Sequence, residues 1–333
     1  MNIKKLEEIL AEEGQAPFRI KQIVKNYFSG RYKKFEEMTD LPLGLRKELD
    51  DKIGLLAVAE VEIKRGEDCE KTVLKLKDGK KIETVLMNYG EWISACLSTQ
   101  VGCAMGCKFC ATGKMGLKRN LEAEEIVDQL LYWNNKVWPQ YVGRIVFMGM
   151  GEPFANWENV WRAIEIIHDN LDIGWRKMSI STVGIIEKIY EFADLGVEIN
   201  LAVSLHATDQ KTREKLMPVA KENNLDELRK AFEYYCYKTK RQLFFEYALI
   251  DGINDNVAEA RRLSRFIKSN KLFYLNIIKL NPTDGAFWSS NREREADFLR
   301  ELDRARVLYS VRKSFGQEIK AACGQLVVRY KDE

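Results

Sequence analysis

The sequence predicts an α/β protein built on a partial (βα)6 barrel, preceded by a small helical domain and a short antiparallel β connector. Three observations lead to this fold class. Residues 91–333 alternate strand-like and amphipathic helical segments, which is typical of a parallel sheet. Residues 55–90 have the alternation of antiparallel strands, and residues 1–54 have helical periodicity. The chain of 333 residues is also long for a single domain.

The N-terminal domain, residues 1–54, contains a basic amphipathic helix. In PFRIKQIVKNYFSG, from Pro17 to Gly30, apolar residues recur at helical spacing and two lysines fall on the opposite face. Proline suits a first helical turn and glycine suits a helix end. Residues 14–35 and 104–120 lack acidic residues, although the net charge of the chain is only +3. These two basic patches favour a polyanionic partner such as nucleic acid, and the alternative is an ordinary solvated surface.

The connector, residues 55–90, is predicted to form three strands. The segments LAVAEVEIK, KTVLKLK and KIETVLM alternate polar and apolar residues or run apolar. Asp78-Gly79, between the last two segments, is a strong signal for a tight hairpin. We therefore expect a short antiparallel sheet that leads into the main domain.

The main domain, residues 91–333, contains six strand candidates separated by amphipathic helices. The strands are ISACLSTQV, GRIVFMG, KMSISTV, VEINLAVSL, QLFFEYALI and FYLNIIKLN. The helices include LEAEEIVDQLLYW, for which Asn120 is the expected N-cap, and WENVWRAIEIIHD, for which Asn156 is the expected cap. Six βα units form either an incomplete barrel or an open, curved sheet. In both, the chemistry lies at the C-terminal ends of the strands.

Composition and the N-terminus indicate where the protein works. The first residues, MNIKKLEEILAEEG, carry acids where a secretory signal needs an apolar core, and the chain has no run of about 20 apolar residues. We therefore expect a cytoplasmic monomer that does not associate with membranes. In that reducing compartment, the seven cysteines are expected to act as ligands or catalysts rather than as a disulfide framework.

Three of these cysteines form the most informative motif. Cys103, Cys107 and Cys110 have the spacing C-x3-C-x2-C in a glycine-containing loop directly after the first strand of the main domain. A zinc site needs a fourth Cys or His, and both histidines of the chain are distant in sequence. Thiolates also hold iron–sulfur clusters, and three of them leave one iron of a [4Fe–4S] cluster open to an exogenous ligand. The alternatives are zinc or unrelated free thiols.

In this context the motif resembles that of the radical S-adenosylmethionine (SAM) superfamily. The resemblance implies that the amino and carboxylate groups of SAM bind the open iron, and that an electron from the cluster cleaves SAM to a radical. The stretch FMGMGEPFANWENV, at the end of the second strand, is similar to the superfamily motif that holds the SAM amino group. By this resemblance the SAM contacts are Gly151, Glu152, Ser181, Ser204, Leu205, His206 and Asn281.

Three longer stretches, CLSTQVGCAMGCKFCATGKMGLKRNL, GMGEP and AACGQL, resemble the family of 23S ribosomal RNA adenine-C2 methyltransferases. Some members of that family also methylate transfer RNA. The resemblance implies two SAM molecules per turnover and an electron donor such as flavodoxin. It implies that Cys323 carries the methyl group as an S-methylcysteine intermediate and that Glu83 accepts the proton from carbon 2. It also implies that Cys96 resolves the covalent intermediate through a transient disulfide with Cys323. We expect Cys69 and Cys236 to be buried packing residues.

The predicted RNA contacts are basic side chains in two places. They are the basic helix with Arg31, Lys33 and Lys34 after it, and Lys114, Lys118 and Arg119 beside the cysteine loop, with Tyr32 as a stacking candidate.

Two other interpretations remain open from the sequence. Relatives that methylate carbon 8 of the same adenosine, an antibiotic-resistance activity, share these catalytic elements but often lack the proline that follows the Gly-Glu pair. This chain keeps Pro153, which favours carbon 2. A non-enzymatic RNA-binding protein with a structural zinc also accounts for the basic patches and the three cysteines. Without the family resemblance, Glu83 would be interpreted as a solvent-facing carboxylate on a strand.

Overall fold

The computed structural model describes residues 3–283 and 287–328, apart from the side chain of Lys4. Residues 1–2 of the predicted helical domain, and residues 284–286 and 329–333 of the predicted main domain, lie outside the described residues. Within the described part, ten strands form one mixed sheet and two short strands form a second sheet. None of the helices there has the length and apolar composition needed to span a membrane.

Three helices make up the N-terminal region: α1 Ile3–Glu12, α2 Phe18–Phe28 and α3 Leu43–Lys52. The predicted basic helix is confirmed as α2, which follows Pro17. It ends before Gly30, whose positive φ of 65° is a conformation that glycine adopts without steric cost. The apolar stripe of α2 packs into the core, and Lys21 and Lys25 are exposed on its other face.

The three predicted connector strands are confirmed as β1 Val58–Arg65, β2 Cys69–Leu76 and β3 Lys81–Asn88. They pair in antiparallel order, and the β2–β3 hairpin turns at Asp78-Gly79, where Gly79 has a φ of 83°. The last connector strand also pairs with the first strand of the main domain, so the connector extends the same sheet. Side chains of the hairpin therefore reach the edge of the barrel.

The six predicted strands of the main domain are confirmed. They are β4 Ile93–Cys96, β7 Arg144–Phe147, β8 Met178–Thr182, β9 Asn200–Ser204, β10 Leu243–Leu249 and β11 Phe273–Lys279, all parallel. A short strand that the sequence analysis did not predict, β12 Tyr309–Val311, pairs in parallel with β11. The sheet order is linear from β1 to β12 within the described residues, so the fold is a partial barrel extended by the connector.

Helices connect the strands, and a second, two-stranded sheet frames the cysteine loop. The helices are α5 Ala123–Val137, α6 Trp157–Leu171, α7 Ile186–Asp194, α8 Gln210–Leu216, α9 Leu225–Thr239, α10 Val257–Lys268 and α11 Arg292–Arg304. The loop contains α4 Ala111–Lys114 and lies between β5 Gln100–Val101 and β6 Arg119–Asn120. The two helices that the sequence analysis singled out are confirmed as α5 and α6, and Asn156 occupies the N-cap position of α6.

The predicted N-cap of α5 is wrong. Asn120 belongs to β6, where its side-chain oxygen accepts a hydrogen bond from Gln100 Nε2 at 2.8 Å. The cap is Glu122, which forms a capping box with Glu125. Pairing of β6 with β5 keeps residue 120 in an extended strand, so the helix begins after Glu122. The first turn of α5 carries Glu124 and Glu125, whose negative charge suits the positive end of the helix dipole.

Candidate active site

The cysteine loop lies over the C-terminal ends of the strands. Cys107 belongs to an apolar cluster whose other members lie at or just after strand ends, or at the C-terminal end of α8. They are Val183, Leu216, Met217, Ala248, Ile250 and Leu280. Glycines let this loop fold tightly. Gly102 has a φ of 78°, and a Cβ at that position would collide with the carbonyl oxygen of Gly116. The predicted cluster loop therefore stands where a barrel enzyme places its chemistry.

The three cysteines of the motif are enclosed: Cys103 and Cys107 are buried, and Cys110 is half-buried. Burial raises the pKa of the Cys103 thiol to about 12, and the nearby Glu152 and Cys110 act in the same direction. Burial also raises the pKa of Cys107 well above its ordinary value, and the other two cysteines add to this effect. Three thiolates in this loop need compensating positive charge, which the irons of a [4Fe–4S] cluster provide.

A single metal ion fits this part of the chain less well than a cluster does. Among residues 3–283 and 287–328, no three His, Cys, Asp or Glu side chains converge closely enough to hold one ion. The thiolates of a cubane cluster bind separate irons, so they stand further apart than the ligands of one ion. The residues present fit a cluster held by three cysteines.

The Gly-Glu pair after β7 forms a buried acidic corner. Gly151 has a φ of 109°, and a Cβ there would lie 2.6 Å from Cβ of Gln100. The Glu152 carboxylate accepts hydrogen bonds from the backbone N–H groups of Phe154 at 3.0 Å and Val183 at 2.8 Å. Burial nevertheless raises the pKa of Glu152 to about 7. A buried carboxyl poised near neutrality, at the strand ends, suits the ammonium group of a ligand.

The other predicted SAM contacts lie at neighbouring strand ends. Ser181 is the penultimate residue of β8 and Ser204 is the last residue of β9, and both are partly exposed. The buried Leu205 follows β9. His206 is buried with a φ of 52°, and its Nδ1 accepts a hydrogen bond from the backbone N–H of Ala248 at 3.0 Å. Burial lowers the pKa of His206 to about 3, so its imidazole is neutral at physiological pH.

The C-terminal segment, residues 317–328, crosses this site and brings Cys323 to it. The Cys323 carbonyl accepts a hydrogen bond from Asn281 Nδ2 at 3.1 Å. On the cluster side, the N–H of Ala111 donates to the Gly324 carbonyl at 2.7 Å, and the hydroxyl of Thr112 donates to the Leu326 carbonyl at 2.6 Å. Cys323 is exposed as a residue, but its thiol is sheltered enough that burial raises the pKa of the thiol. Asn281, predicted as a SAM contact, is thus also an anchor of the Cys323 segment.

Cys96 lies at the end of β4 and is buried. Burial strongly raises the pKa of its thiol, and electrostatic interaction with Cys323 acts in the same direction. All seven cysteines are free, so no disulfide joins Cys96 to Cys323 in this structure, and the transient disulfide between them stays a prediction. Cys69 and Cys236 are buried in the hydrophobic core, as expected.

Glu83 faces the C-terminal segment rather than solvent. Its side chain, on β3, is 3% exposed, so the interpretation as a solvent-facing carboxylate is wrong. One carboxylate oxygen pairs with Lys71 Nζ at 2.7 Å, and the other accepts the backbone N–H of Val327 at 2.7 Å. Burial raises the pKa of Glu83 and Lys71 opposes that rise. The sequence analysis missed Lys71, because a lysine in an alternating strand is usually solvated.

Some of the basic residues proposed as RNA contacts are paired with acidic side chains of the chain itself, and others are exposed. Arg119 is used internally, because its guanidinium pairs with Asp78 and Glu125, each at 2.7 Å. This ties the end of the cysteine loop to the β2–β3 hairpin and to α5, so the prediction that Arg119 holds a phosphate is not favoured. Lys118, next to it, is exposed.

The N-terminal basic residues also differ. Lys34 pairs with Glu36 at 3.2 Å, and the Arg31 guanidinium stacks over the Tyr32 ring at 5.4 Å. Lys33 is exposed, as are the two lysines of α2. The outer face of α2 and its flanking loop therefore remains the more open basic surface.

Three comparisons with known proteins agree with these features. Residues 97–263 match the family model described as the Radical SAM superfamily. Residues 1–55 match the model described as the Ribosomal RNA large subunit methyltransferase N-terminal domain.

The chain is also similar over its full length to curated proteins named "Probable dual-specificity RNA methyltransferase RlmN". The one from Caldanaerobacter subterraneus subsp. tengcongensis is 39% identical over 338 residues, which cover 100% of this chain and 98% of that protein. The one from Chloroflexus aurantiacus is 39% identical, covering 99% of this chain and 92% of that protein. A solved radical SAM methyltransferase from Sphaerobacter thermophilus superposes with a TM-score of 0.89 at 37% identity, covering 98% and 97% of the two chains.

Proposed function

Because the chain belongs to the radical SAM methyltransferase family that includes the RlmN proteins, we propose that it methylates carbon 2 of an adenosine in 23S ribosomal RNA. We extend the proposal to an adenosine next to the anticodon of some transfer RNAs, because the curated relatives are named dual-specificity enzymes. The observation that carries the proposal is the docking of the Cys323 segment between the cysteine loop and Glu83.

The chemistry of adenine explains why such a site needs more than a methyl donor. Carbon 2 is an electron-poor aromatic carbon and is not a nucleophile, so it does not attack the electrophilic methyl of SAM. When bound, the [4Fe–4S] cluster and SAM supply the one-electron chemistry that activates a carbon centre for attack on the ring. Cys103, Cys107 and Cys110 would hold the cluster. The SAM contacts would be Gly151, Glu152, Ser181, Ser204, Leu205, His206 and Asn281.

The remaining steps belong to side chains of this chain. The thiol of Cys323 accepts a methyl group from SAM by polar displacement and presents that carbon to the adenine. Glu83 accepts the proton that leaves carbon 2. Cys96 attacks the sulfur of Cys323 and forms a transient disulfide, and the bond between that sulfur and the methyl-derived carbon breaks. The electron pair of the broken bond stays with the carbon, which takes up a proton and becomes the methyl group of the product. A thiol reductant then returns both cysteines to the free form.

The domain roles follow from the same proposal. Residues 1–54 form a helical RNA-binding accessory domain, residues 55–90 a β connector, and residues 91–333 the catalytic core. The accessory domain makes its first contacts with the RNA backbone through the exposed lysines of α2. The target base leaves its stack to reach Cys323. We place the enzyme in the cytoplasm as a monomer, without membrane association, and served by an electron donor such as flavodoxin.

Anaerobic reconstitution tests this function. The chain is loaded with iron and sulfide and incubated with SAM, a reductant and a 23S ribosomal RNA fragment, and the nucleosides are separated by mass spectrometry. We expect 2-methyladenosine, and its absence with the Cys323→Ala variant. Formation of 8-methyladenosine would assign the chain to the carbon-8 relatives. A colourless, zinc-containing protein that makes neither product would contradict the assignment as an enzyme.

A further inference from the structure

Lys71 is a buried lysine inside strand β2. Only 5% of its surface is exposed, which is rare for lysine unless the ammonium group is paired. Its Nζ lies 2.7 Å from Glu83 Oε1 and 2.9 Å from the carbonyl oxygen of Lys320. One carboxylate oxygen and one carbonyl oxygen, from distant parts of the chain, therefore share one ammonium group.

The same ion pair holds both ends of the loop that carries Cys323. Lys320 precedes that cysteine by three residues and bonds Lys71, while Val327 follows it by four residues and donates its N–H to Glu83 Oε2. Lys320 has a φ of 55°, a left-handed conformation that is unfavourable for a residue other than glycine. The hydrogen bond from Lys71 helps to hold it there. Loss of Lys71 would remove the anchor at Lys320 and weaken the one at Val327, while the bonds to Cys323, Gly324 and Leu326 remain.

We propose that Lys71 is a positioning residue that orients the Glu83 carboxylate, keeps it ionised, and ties the Cys323 loop to Glu83. The proposal rests on the proposed function, in which Glu83 is the proton acceptor and Cys323 carries the methyl group. Neither Lys71 nor its bond to Lys320 is needed by the chemistry already described. Their role is to keep the base ionised and at a set distance from the thiol that presents the carbon.

The electrostatics around Glu83 give this role a measurable consequence. The groups that face its carboxylate are Lys71 on β2, the more distant Lys64 on β1 and the backbone N–H of Val327 from the C-terminal segment. Burial raises the pKa of Glu83, and Lys71 is the largest of the influences that lower it. A neutral residue at position 71 leaves the carboxylate buried without its cation, so Glu83 takes up a proton at higher pH.

The test compares Lys71→Met with Lys71→Arg, which keeps the charge, and with Lys75→Met. Lys75 lies on the same strand and is exposed, so it is the matched control for loss of one positive charge. Formation of 2-methyladenosine is measured in single turnover across pH 6 to 9. We expect K71M to lose about tenfold or more at pH 7 and to recover as pH rises, because Glu83 must be ionised to accept a proton. K71R and K75M should show the same dependence of rate on pH as the wild type at the acidic end of this range.

A second measurement does not depend on catalysis. Amide hydrogen exchange of peptides covering residues 320–327 should be at least about tenfold faster in K71M than in the wild type and unchanged in K75M. A K71M enzyme with a wild-type acidic limb and wild-type exchange overturns the proposal. If the wild type makes no methylated adenosine, the proposed function fails, and the exchange result still decides whether Lys71 ties the loop.

If the K71M variant folds poorly, a double variant still tests the proposal. The double variant Lys71→Met, Glu83→Gln removes both buried charges, so it should be more stable than K71M alone. If the single and double variants are equally unstable, Lys71 does not act through its ion pair with Glu83.

Discussion

The buried carboxyl of Glu152 makes the stability of the folded chain depend on pH in a direction opposite to that of most carboxylates. Its pKa is raised by burial from an ordinary 4.5 to about 7. The folded chain therefore takes up this proton as pH falls through about 7, whereas the unfolded chain does so only near 4.5. The stability contributed by the protonated group is fully present below pH 4.5 and is lost as pH rises through about 7. The difference between the two pKa values corresponds to about 3 kcal/mol.

The perturbation that isolates this contribution is Glu152→Gln, which mimics the protonated form. Urea unfolding of the cluster-free chain, followed by tryptophan fluorescence under reducing conditions, gives the free energy of unfolding of both proteins from pH 4.5 to 8.5. We expect the variant to gain about 3 kcal/mol relative to the wild type as pH rises across this range. Glutamine cannot accept from both backbone N–H groups as the carboxylate does, but the pKa of about 7 already includes the effect of those two hydrogen bonds.

Two features make the result interpretable. The nearby Cys103 thiol, whose pKa burial raises to about 12, is present in both proteins, so its contribution to the pH dependence cancels in the comparison. Glu158→Gln, at an exposed position six residues away, is the matched control and should leave the pH dependence of the wild type unchanged. The free energies of unfolding of the wild type and E152Q could instead differ by a constant amount from pH 4.5 to 8.5. That result would refute the reasoning that burial of Glu152 disfavours its ionised form.

The remaining predictions concern the cysteines. Cys107→Ala should lower bound iron after reconstitution by a large factor, as measured by iron analysis and the cluster absorbance, because it removes one of three thiolates. Cys236→Ala, a change at a buried core cysteine, should retain full iron, and equal iron in both variants would contradict the ligand assignment. Cys96→Ala should accumulate a covalent protein–RNA adduct through Cys323, visible as a band of reduced mobility. Normal turnover by this variant would contradict the resolving role.

Local patterns were enough to predict most of the secondary structure. The six strands of the main domain, the three connector strands and α2 all carry their periodicity within a few residues of sequence. The strand β12 was missed because three residues are too short to show a period. The N-cap of α5 was misplaced because pairing between β5 and β6, a contact made by residues about 20 positions apart, decides the conformation of Asn120.

The site was less accessible to local reasoning. The spacing of the cluster cysteines pointed to a metal centre from chemistry alone, whereas the roles of Glu83 and Cys96 rested on resemblance. The contacts that connect the β hairpin to the C-terminal segment join residues separated by 244 to 249 positions, namely Glu83 to Val327 and Lys71 to Lys320. No short pattern indicates such contacts, so burial of Lys71 could only be found in the folded chain.

The central claim is that the methyl carbon reaches adenine by way of Cys323. The most direct measurement loads the reconstituted enzyme with SAM carrying a 13C-methyl group, removes the excess, and starts a single turnover with RNA and unlabelled SAM. We predict that the 2-methyladenosine of the first turnover carries the 13C label and that the Cys323 peptide loses it. An unlabelled first product, with the label still on the peptide, would contradict this route.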